Sequence, residues 1–154
     1  MSDTNHYDAM TAIKGIIDGL SLSPLAGGVV IQEVVDYNRD TNTPCLDFIS
    51  ISPFTTERIG DPNGQENIQE DATGFPILIA IIGAPDATKL ATRLSWRRQI
   101  LSRMRNTDLG LGAQGCYQVV PTPLDIVTRQ DLVGPRKLFV SAIVATPIFE
   151  NQRP

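Results

Sequence analysis

The most constraining feature of this chain is the segment FPILIAIIG at residues 75–83, which is apolar at every position. Successive side chains of a strand point to opposite faces of a sheet, so a strand with this composition needs cover on both faces. We therefore expect residues 75–83 to form a central strand. The sheet face away from the helices then needs its own cover, and a neighbouring subunit is one candidate for it.

The other apolar patterns place helices and strands around this strand. Residues 9–20 have helical spacing and predict an amphipathic first helix. The β-branched run at 29–35 predicts a strand, and the alternation over 46–52 predicts a second strand that pairs with it as a hairpin. Residues 114–120 and 138–148 predict the last strands. Helices and strands do not alternate regularly, so we expect an α+β fold: a two-layer sandwich with a mixed or antiparallel sheet and two main helices packed on one face.

Length and composition favour one domain. A chain of 154 residues with 42% hydrophobic residues can bury one sizeable core, so the domain is expected to span residues 1–154. No apolar run reaches the roughly 18 residues that a membrane span needs, and the first ten residues lack signal-peptide features. We expect a soluble protein made in the cytosol, with no membrane contact, in which Cys45 and Cys116 are reduced and buried.

The second helix is predicted at residues 88–106, which carry six of the thirteen Lys and Arg residues and no Asp or Glu. The rest of the chain has seven basic residues against seventeen acidic ones, so the charge is divided between one helix and the remainder. Complementary surfaces of this kind favour self-association or an acidic partner. Asp86 or Thr88 is expected to cap the N-terminus of this helix.

On a helical wheel the basic helix has one apolar stripe, which we expect to pack on the sheet. Arg97 falls near the middle of this stripe, where an unpaired charge is costly. Either its stem passes the core and the guanidinium reaches water, or the group forms a buried ion pair within the fold or across a subunit boundary. The stripe consists of Leu90, Leu94, Ile100, Leu101 and Met104.

Residues 53–74 form an acidic segment with the sequence DPNG, typical of a turn, near its centre. The segment is longer than the connections that compact domains usually contain. We expect it to be an extended loop or a hairpin arm that reaches a neighbouring subunit. Against Arg58 alone, its acidic residues are Glu57, Asp61, Glu66, Glu70 and Asp71.

The sequence offers little that points to catalysis. His6 is the sole histidine and is expected to be solvated in a frayed N-terminus, which excludes histidine triads and multi-histidine metal sites. The GxGxxG pattern at residues 110–115 follows a helix and precedes a strand, the reverse of a dinucleotide site, and is expected to be a helix exit and turn. Residues 61–64 lack the ligand spacing of a calcium loop. We therefore predict no catalytic, cofactor-binding or metal site, and no enzyme.

A resemblance to a known family rests on the order of elements and on the segments GVVIQEVVDY, PCLDFISISP, GFPILIAIIG and LATRLSWRRQIL. Over nearly its whole length the chain resembles small neck and tail-completion proteins of tailed bacteriophages, in particular tail terminators. The resemblance implies an α+β subunit that assembles as a ring, commonly a hexamer, on the last ring of the tail tube protein. Such a ring ends tube growth, joins the head-tail connector protein and leaves a channel for passing genomic DNA without sequence-specific binding.

The same resemblance implies a structural protein of the virion neck that is assembled in the host cytoplasm and needs no cofactor. Within this class, a head-tail connector or stopper protein is the alternative. Outside it, the alternative is a non-viral cytosolic adaptor that binds an acidic protein through Trp96 and the neighbouring arginines.

We expect the basic helix to meet the acidic segment of the adjacent subunit in the ring. Two alternatives remain open for its arginines, which could face the channel and contact DNA phosphates or simply form a solvated helix face. The candidate interface residues are Arg93, Trp96, Arg97, Arg98 and Arg103 on the helix, and Glu57, Asp61, Glu66, Glu70 and Asp71 on the acidic segment.

Overall fold

The fold is an α+β two-layer sandwich, in which a mixed sheet forms one layer and two helices on one of its faces form the other. This agrees with the fold class expected from the sequence. The computed structural model describes residues 5–36, 46–54, 58–59, 72–105, 107–124, 126 and 138–150.

The two helices are α1, Asn5–Gly19, and α2, Leu90–Arg105. The amphipathic pattern of α1 is confirmed, because its apolar side is buried through Ala9, Met10, Ile13 and Ile17. The predicted frayed N-terminus is wrong at one position. His6 lies in the first turn of α1, with its ring centroid 5.1 Å from that of Phe75.

Seven strands of the described residues form the sheet, and two pairs of them lie in line, so this part of the sheet is five strands wide. β2 is continued by β3, and β4 is continued by β5; β7 pairs with both β4 and β5 on one side and with β6 on the other. The strands are β1, Val29–Ile31; β2, Phe48–Pro53; β3, Arg58–Ile59; β4, Ala72–Gly74; β5, Ile77–Gly83; β6, Cys116–Pro123; and β7, Phe139–Glu150.

The predicted hairpin between the first two strands is wrong, because β1 pairs with β2 in parallel. Parallel neighbours need a crossover connection rather than a tight turn. The chain leaves the sheet edge after Ile31, and Val35 packs on the face opposite the helices, against the two apolar clusters to which Ala80 of β5 and Val144 of β7 belong. A β-branched sequence pattern therefore covers both a short edge strand and the start of a crossover.

β5 is the central strand predicted from the apolar run, and all seven of its residues are buried. Ile77, Ile79 and Ile81 face the helices, whereas Leu78 and Ile82 face the other side. The residues of this second face are already buried within the single chain. A neighbouring subunit is therefore not required to cover these residues.

β6 forms one edge of the sheet and contains two prolines, Pro121 and Pro123. The Leu124 amide donates to the Ala142 carbonyl of β7 at 3.1 Å. Because backbone N–H groups alternate between the two edges of a strand, the backbone N positions of odd-numbered residues in β6 point away from β7. The prolines occupy these outward positions, which is where a strand tolerates the loss of an N–H group.

The GxGxxG segment is the helix exit and turn that the sequence predicted. Gly110 and Gly115 have φ values of 69° and 100°, in the left-handed region that favours glycine, and a short 3-10 turn over Gly112–Gln114 lies between them. The Gly115 carbonyl then accepts a hydrogen bond of 2.8 Å from the Glu150 amide. The glycines thus return the chain from α2 to the end of β7.

Candidate functional site

The helix that was expected to form the interface packs on the sheet through a face that shares Ile100 and Met104 with the predicted stripe but not its three leucines. Its buried residues are Arg93, Trp96, Arg97, Ile100 and Met104. On the wheel this face is rotated by roughly 50° from the predicted stripe, at about 3.6 residues per turn. Leu90 is 41% exposed, and Leu94 and Leu101 are only half-buried.

Two arginines can occupy the inward face because the sheet supplies partners for both. Arg93 is 1% exposed, and its Nη2 atom lies 2.7 Å from Asp47 Oδ1, which precedes β2. Arg93 Nε also donates to Asp47 Oδ2 at 3.3 Å, and Nη2 donates to the Ala84 carbonyl at 2.8 Å. The guanidinium therefore forms a bidentate ion pair, the geometry in which a buried charge pair is best compensated.

The ion pair lies over a gap in the sheet that glycine provides. Gly83 ends β5 between Asp47 and Phe139, and a Cβ atom there would overlap the Asp47 carboxylate and approach Arg93 Nη2 to 2.6 Å. On the other side of Gly83, the Arg93 guanidinium carbon lies 4.7 Å from the Phe139 ring centroid, in a cation–π arrangement. Helix α2 is thus joined to three strands at one point.

Among the described residues, Arg97 donates hydrogen bonds to one hydroxyl and two backbone carbonyls. Its Nη1 atom donates to Ser141 Oγ at 2.8 Å and to the Ala142 carbonyl at 2.7 Å, while Nη2 donates to the Leu124 carbonyl at 2.8 Å. Arg97 is 6% exposed. The guanidinium therefore joins α2 to β7 and to the segment that follows β6. The solvated end expected from the sequence is therefore wrong, whereas the alternative of a buried ion pair stays a prediction.

The interface prediction is consequently wrong for three residues. Arg93, Trp96 and Arg97 are buried inside the subunit, so their side chains are not available to an adjacent copy. The hydrogen bonds of Arg93 and Arg97 instead hold α2 on its own sheet. Arg98 and Arg103 are exposed and remain candidates.

The proposed acidic partners Glu57, Asp61, Glu66, Glu70 and Asp71 lie outside the described residues, as does the DPNG turn. Strands β3 and β4 pair in antiparallel fashion, with Arg58 opposite Gly74. Residues 60–71 therefore connect two paired strands.

An open groove runs along the outward flank of α2 and has a volume of about 820 Å³. Its apolar lining comes from Leu94 and Leu101 of the helix and from Ile126, which is 57% exposed. Arg98 and Arg105, both exposed, lie in the same groove. The helical wheel assigned Leu94 and Leu101 to the core, but in the structure they contribute to a surface that is both basic and apolar. We call these five residues the α2 groove.

A second exposed surface, missed by the sequence analysis, lies after β1, at residues 33–36. Val34 is 77% exposed, and Glu33 and Asp36 on either side of it are also exposed. Gln32 fixes the start of this segment, because its Oε1 atom accepts hydrogen bonds from Ser50 Oγ at 2.6 Å and from the Asp36 amide at 3.0 Å. The prediction of one strand over 29–35 hid this acidic and apolar surface, which we call the Val34 knob.

The start of α2 follows the prediction. Asp86 caps a short 3-10 turn, Ala87–Lys89, that leads into the helix, and its Oδ1 atom accepts from the Thr88 amide at 2.9 Å and from Thr88 Oγ1 at 2.6 Å. The hydrogen bonds from Thr88 lower the pKa of Asp86 below its ordinary value of 3.8. The cap therefore carries a negative charge beside a basic helix.

The described residues offer no cluster of three His, Cys, Asp or Glu side chains with metal-site geometry. Cys116 is buried as predicted, whereas Cys45 lies outside the described residues. Burial, with a smaller contribution from the Asp108 charge, raises the pKa of the Cys116 thiol to about 11. Neither of the two long helices, nor any other helix among the described residues, is long and apolar enough to cross a membrane.

Comparison with known proteins gives no family assignment. No protein-family model matches the chain, and no curated protein matches it significantly.

Proposed function

We propose that this protein is a self-assembling structural subunit of a phage neck, of the tail-terminator type. Its ring would cap the tail tube, end tube polymerisation and join tail to head around a DNA channel. The observation that carries this proposal is the α2 groove, a basic and apolar surface exposed on a chain whose formal net charge is −4. The phage context comes from the sequence resemblance.

Self-association follows from the chemistry of that surface. Leu94, Leu101 and Ile126 leave apolar area in contact with water, which association would remove. Arg98 and Arg105 beside them select an acidic surface, and acidic residues dominate the rest of this chain. A copy of the same protein therefore meets both requirements.

The proposal is tested by negative-stain electron microscopy together with native mass spectrometry, on the protein alone and mixed with tail tubes. We expect closed rings with an open centre, most simply hexamers, that cap one end of each tube. Rings that bind head vertices but ignore tubes would indicate a connector or stopper instead. A monomer or dimer that ignores both would contradict the proposal and favour an adaptor.

Charge reversal tests whether the exposed arginines hold the ring together. The double substitution Arg98→Glu with Arg103→Glu is expected to weaken assembly, and added salt should weaken the wild-type ring in the same direction. Circular dichroism provides the control, because both side chains are exposed and the fold should be unchanged. Ring formation that is unchanged at low and high salt would remove the arginines from the interface.

A further inference from the structure

We propose that the Val34 knob of one copy docks in the α2 groove of the next copy. This inference deepens the proposed function, on whose self-assembly it rests. It assigns the contact between adjacent copies to two described surfaces that the sequence analysis did not pair with each other.

The two surfaces match in chemistry. The knob presents one aliphatic side chain, Val34, between the acidic residues Glu33 and Asp36. The groove presents an aliphatic lining beside two arginines, Arg98 and Arg105. A valine seated in the groove would lose its contact with water, while the flanking carboxylates would approach the guanidinium groups.

The two surfaces also match in rigidity. The knob is fixed to the sheet by the two hydrogen bonds that Gln32 Oε1 accepts, and by Val35, which packs against β5 and β7. The groove is fixed because Arg97 and the buried face of α2 hold the helix on β7. The knob and the helix side of the groove are thus held in place before binding, which lowers the entropic cost of the contact.

The position of the surfaces determines the kind of assembly. Val35 packs on the sheet face opposite the helices, so the knob and the groove lie on opposite sides of the sheet. One subunit cannot join its own knob to its own groove, and two subunits cannot exchange both contacts at once. The contact is therefore heterologous, and repetition of it gives a closed ring or an open filament.

This geometry allows a test in which each variant has only one damaged surface. The groove variant carries Arg98→Glu and Arg105→Glu, and the knob variant carries Glu33→Gln and Val34→Ser. All four positions are exposed, so both variants should fold like the wild type. Gln99→Glu is the matched control, because it adds a negative charge at an exposed position of the same helix outside the groove.

At a concentration where the wild type is assembled, each variant alone is expected to be a monomer by light scattering after gel filtration. An equal mixture should give a one-to-one heterodimer and nothing larger, since the remaining knob and groove are both damaged. The Gln99→Glu control should assemble like the wild type.

Other outcomes overturn the inference in distinguishable ways. If the wild type and both variants all form rings, the knob and groove are not the contact, although ring assembly stands. If the mixture gives no heterodimer, the surfaces are not complementary. If the heterodimer forms but the wild type neither closes a ring nor caps tail tubes, the docking stands and the tail-terminator function fails. A wild type that stays monomeric contradicts both.

Discussion

Arg93 and Arg98 lie one and a half turns apart on α2, yet their surroundings differ in every respect. Arg93 is 1% exposed and forms a bidentate ion pair with Asp47, whereas Arg98 is exposed and lines an open groove. The inner charges therefore hold the helix on the sheet, and the outer charges are available for a partner. The difference teaches that basic residues on one helix can be divided between folding and assembly.

Among the substitutions that test this division, Asp47→Ala is expected to have the largest effect, because it leaves the Arg93 charge buried without its carboxylate partner. We expect the free energy of unfolding to fall by about 3–5 kcal/mol, as is typical when one partner of a buried pair is removed. Urea denaturation followed by tryptophan fluorescence measures the loss, because Trp96 lies on the same buried face.

Two variants sharpen this first prediction. The exposed-face counterpart, Arg98→Ala, should change the unfolding free energy by no more than about 0.5 kcal/mol. Asp47→Leu combined with Arg93→Met should recover much of the loss, because it removes both charges from the interior. Equal destabilisation by Asp47→Ala and Arg98→Ala would contradict the proposed division between the two faces.

A smaller effect is expected from Gly83→Ala, which adds a methyl group where the ion pair lies over β5. We expect a loss of about 3 kcal/mol, near the upper end for an added core methyl group, because the ion pair must separate to make room. Thermal unfolding measures it.

Gly15→Ala is the matched control for the Gly83 substitution. Gly15 lies in α1, and a Cβ atom added there would meet nothing within 4 Å. This variant should be more stable than the wild type by about 0.5–1 kcal/mol, the difference in helix propensity. If both variants are stabilised, Gly83 does not provide the gap that the ion pair needs.

Arg97→Lys tests the second inner arginine with the charge retained. A lysine ammonium cannot reproduce the fork that reaches the Ser141 hydroxyl and the Leu124 carbonyl from two nitrogens. We expect a loss of about 2 kcal/mol, the order of one charged hydrogen bond. Chemical denaturation measures the loss, and hydrogen exchange should show faster exchange at the end of β6. An unchanged unfolding curve would mean that charge alone holds Arg97 in place.

The smallest effect is expected at the exposed cap, where Asp86→Ala removes the acceptor for Thr88. The folded-state pKa of Asp86 is lowered, so its stabilisation is present above its ordinary pKa of 3.8 and is lost as pH falls through the folded-state pKa. We expect a small decrease in Tm at pH 7 that shrinks progressively below pH 3.8. If the difference in Tm between the wild type and the variant is the same at pH 7 and below pH 3.8, the carboxylate charge contributes nothing.

The sequence predicted the elements whose patterns are local. The apolar run of β5, the apolar side of α1 and the cap at Asp86 all depend on spacing within one segment. The rotation of α2 was not predictable, because the wheel treats arginine as an outward residue and leucine as an inward one. Here the long-range partner Asp47 reverses that order for Arg93, whereas the hydrogen bond to Ser141 holds Arg97 at the inward position that the wheel had already given it. The parallel pairing of β1 with β2 was missed for the same reason, since a crossover has no local signature.

The candidate site was predicted in part. The sequence correctly singled out α2 as a basic helix, and its exposed Arg98 and Arg103 remain candidates for the interface. The groove required the position of Ile126, which lies beyond β6, and the knob required the chain to leave the sheet after Ile31. Both depend on tertiary packing, which one sequence without its fold does not specify.

The two prolines of β6 affect the tendency of this protein to aggregate when its local concentration is high. A foreign strand aligned along that edge would find no amide at residues 121 and 123, so two of its own carbonyls would stay unpaired. Sheet-to-sheet fusion is therefore disfavoured through β6, even where local concentration is high. A chain that polymerises by side-chain contacts can in this way avoid the fibrous growth that an open strand edge invites.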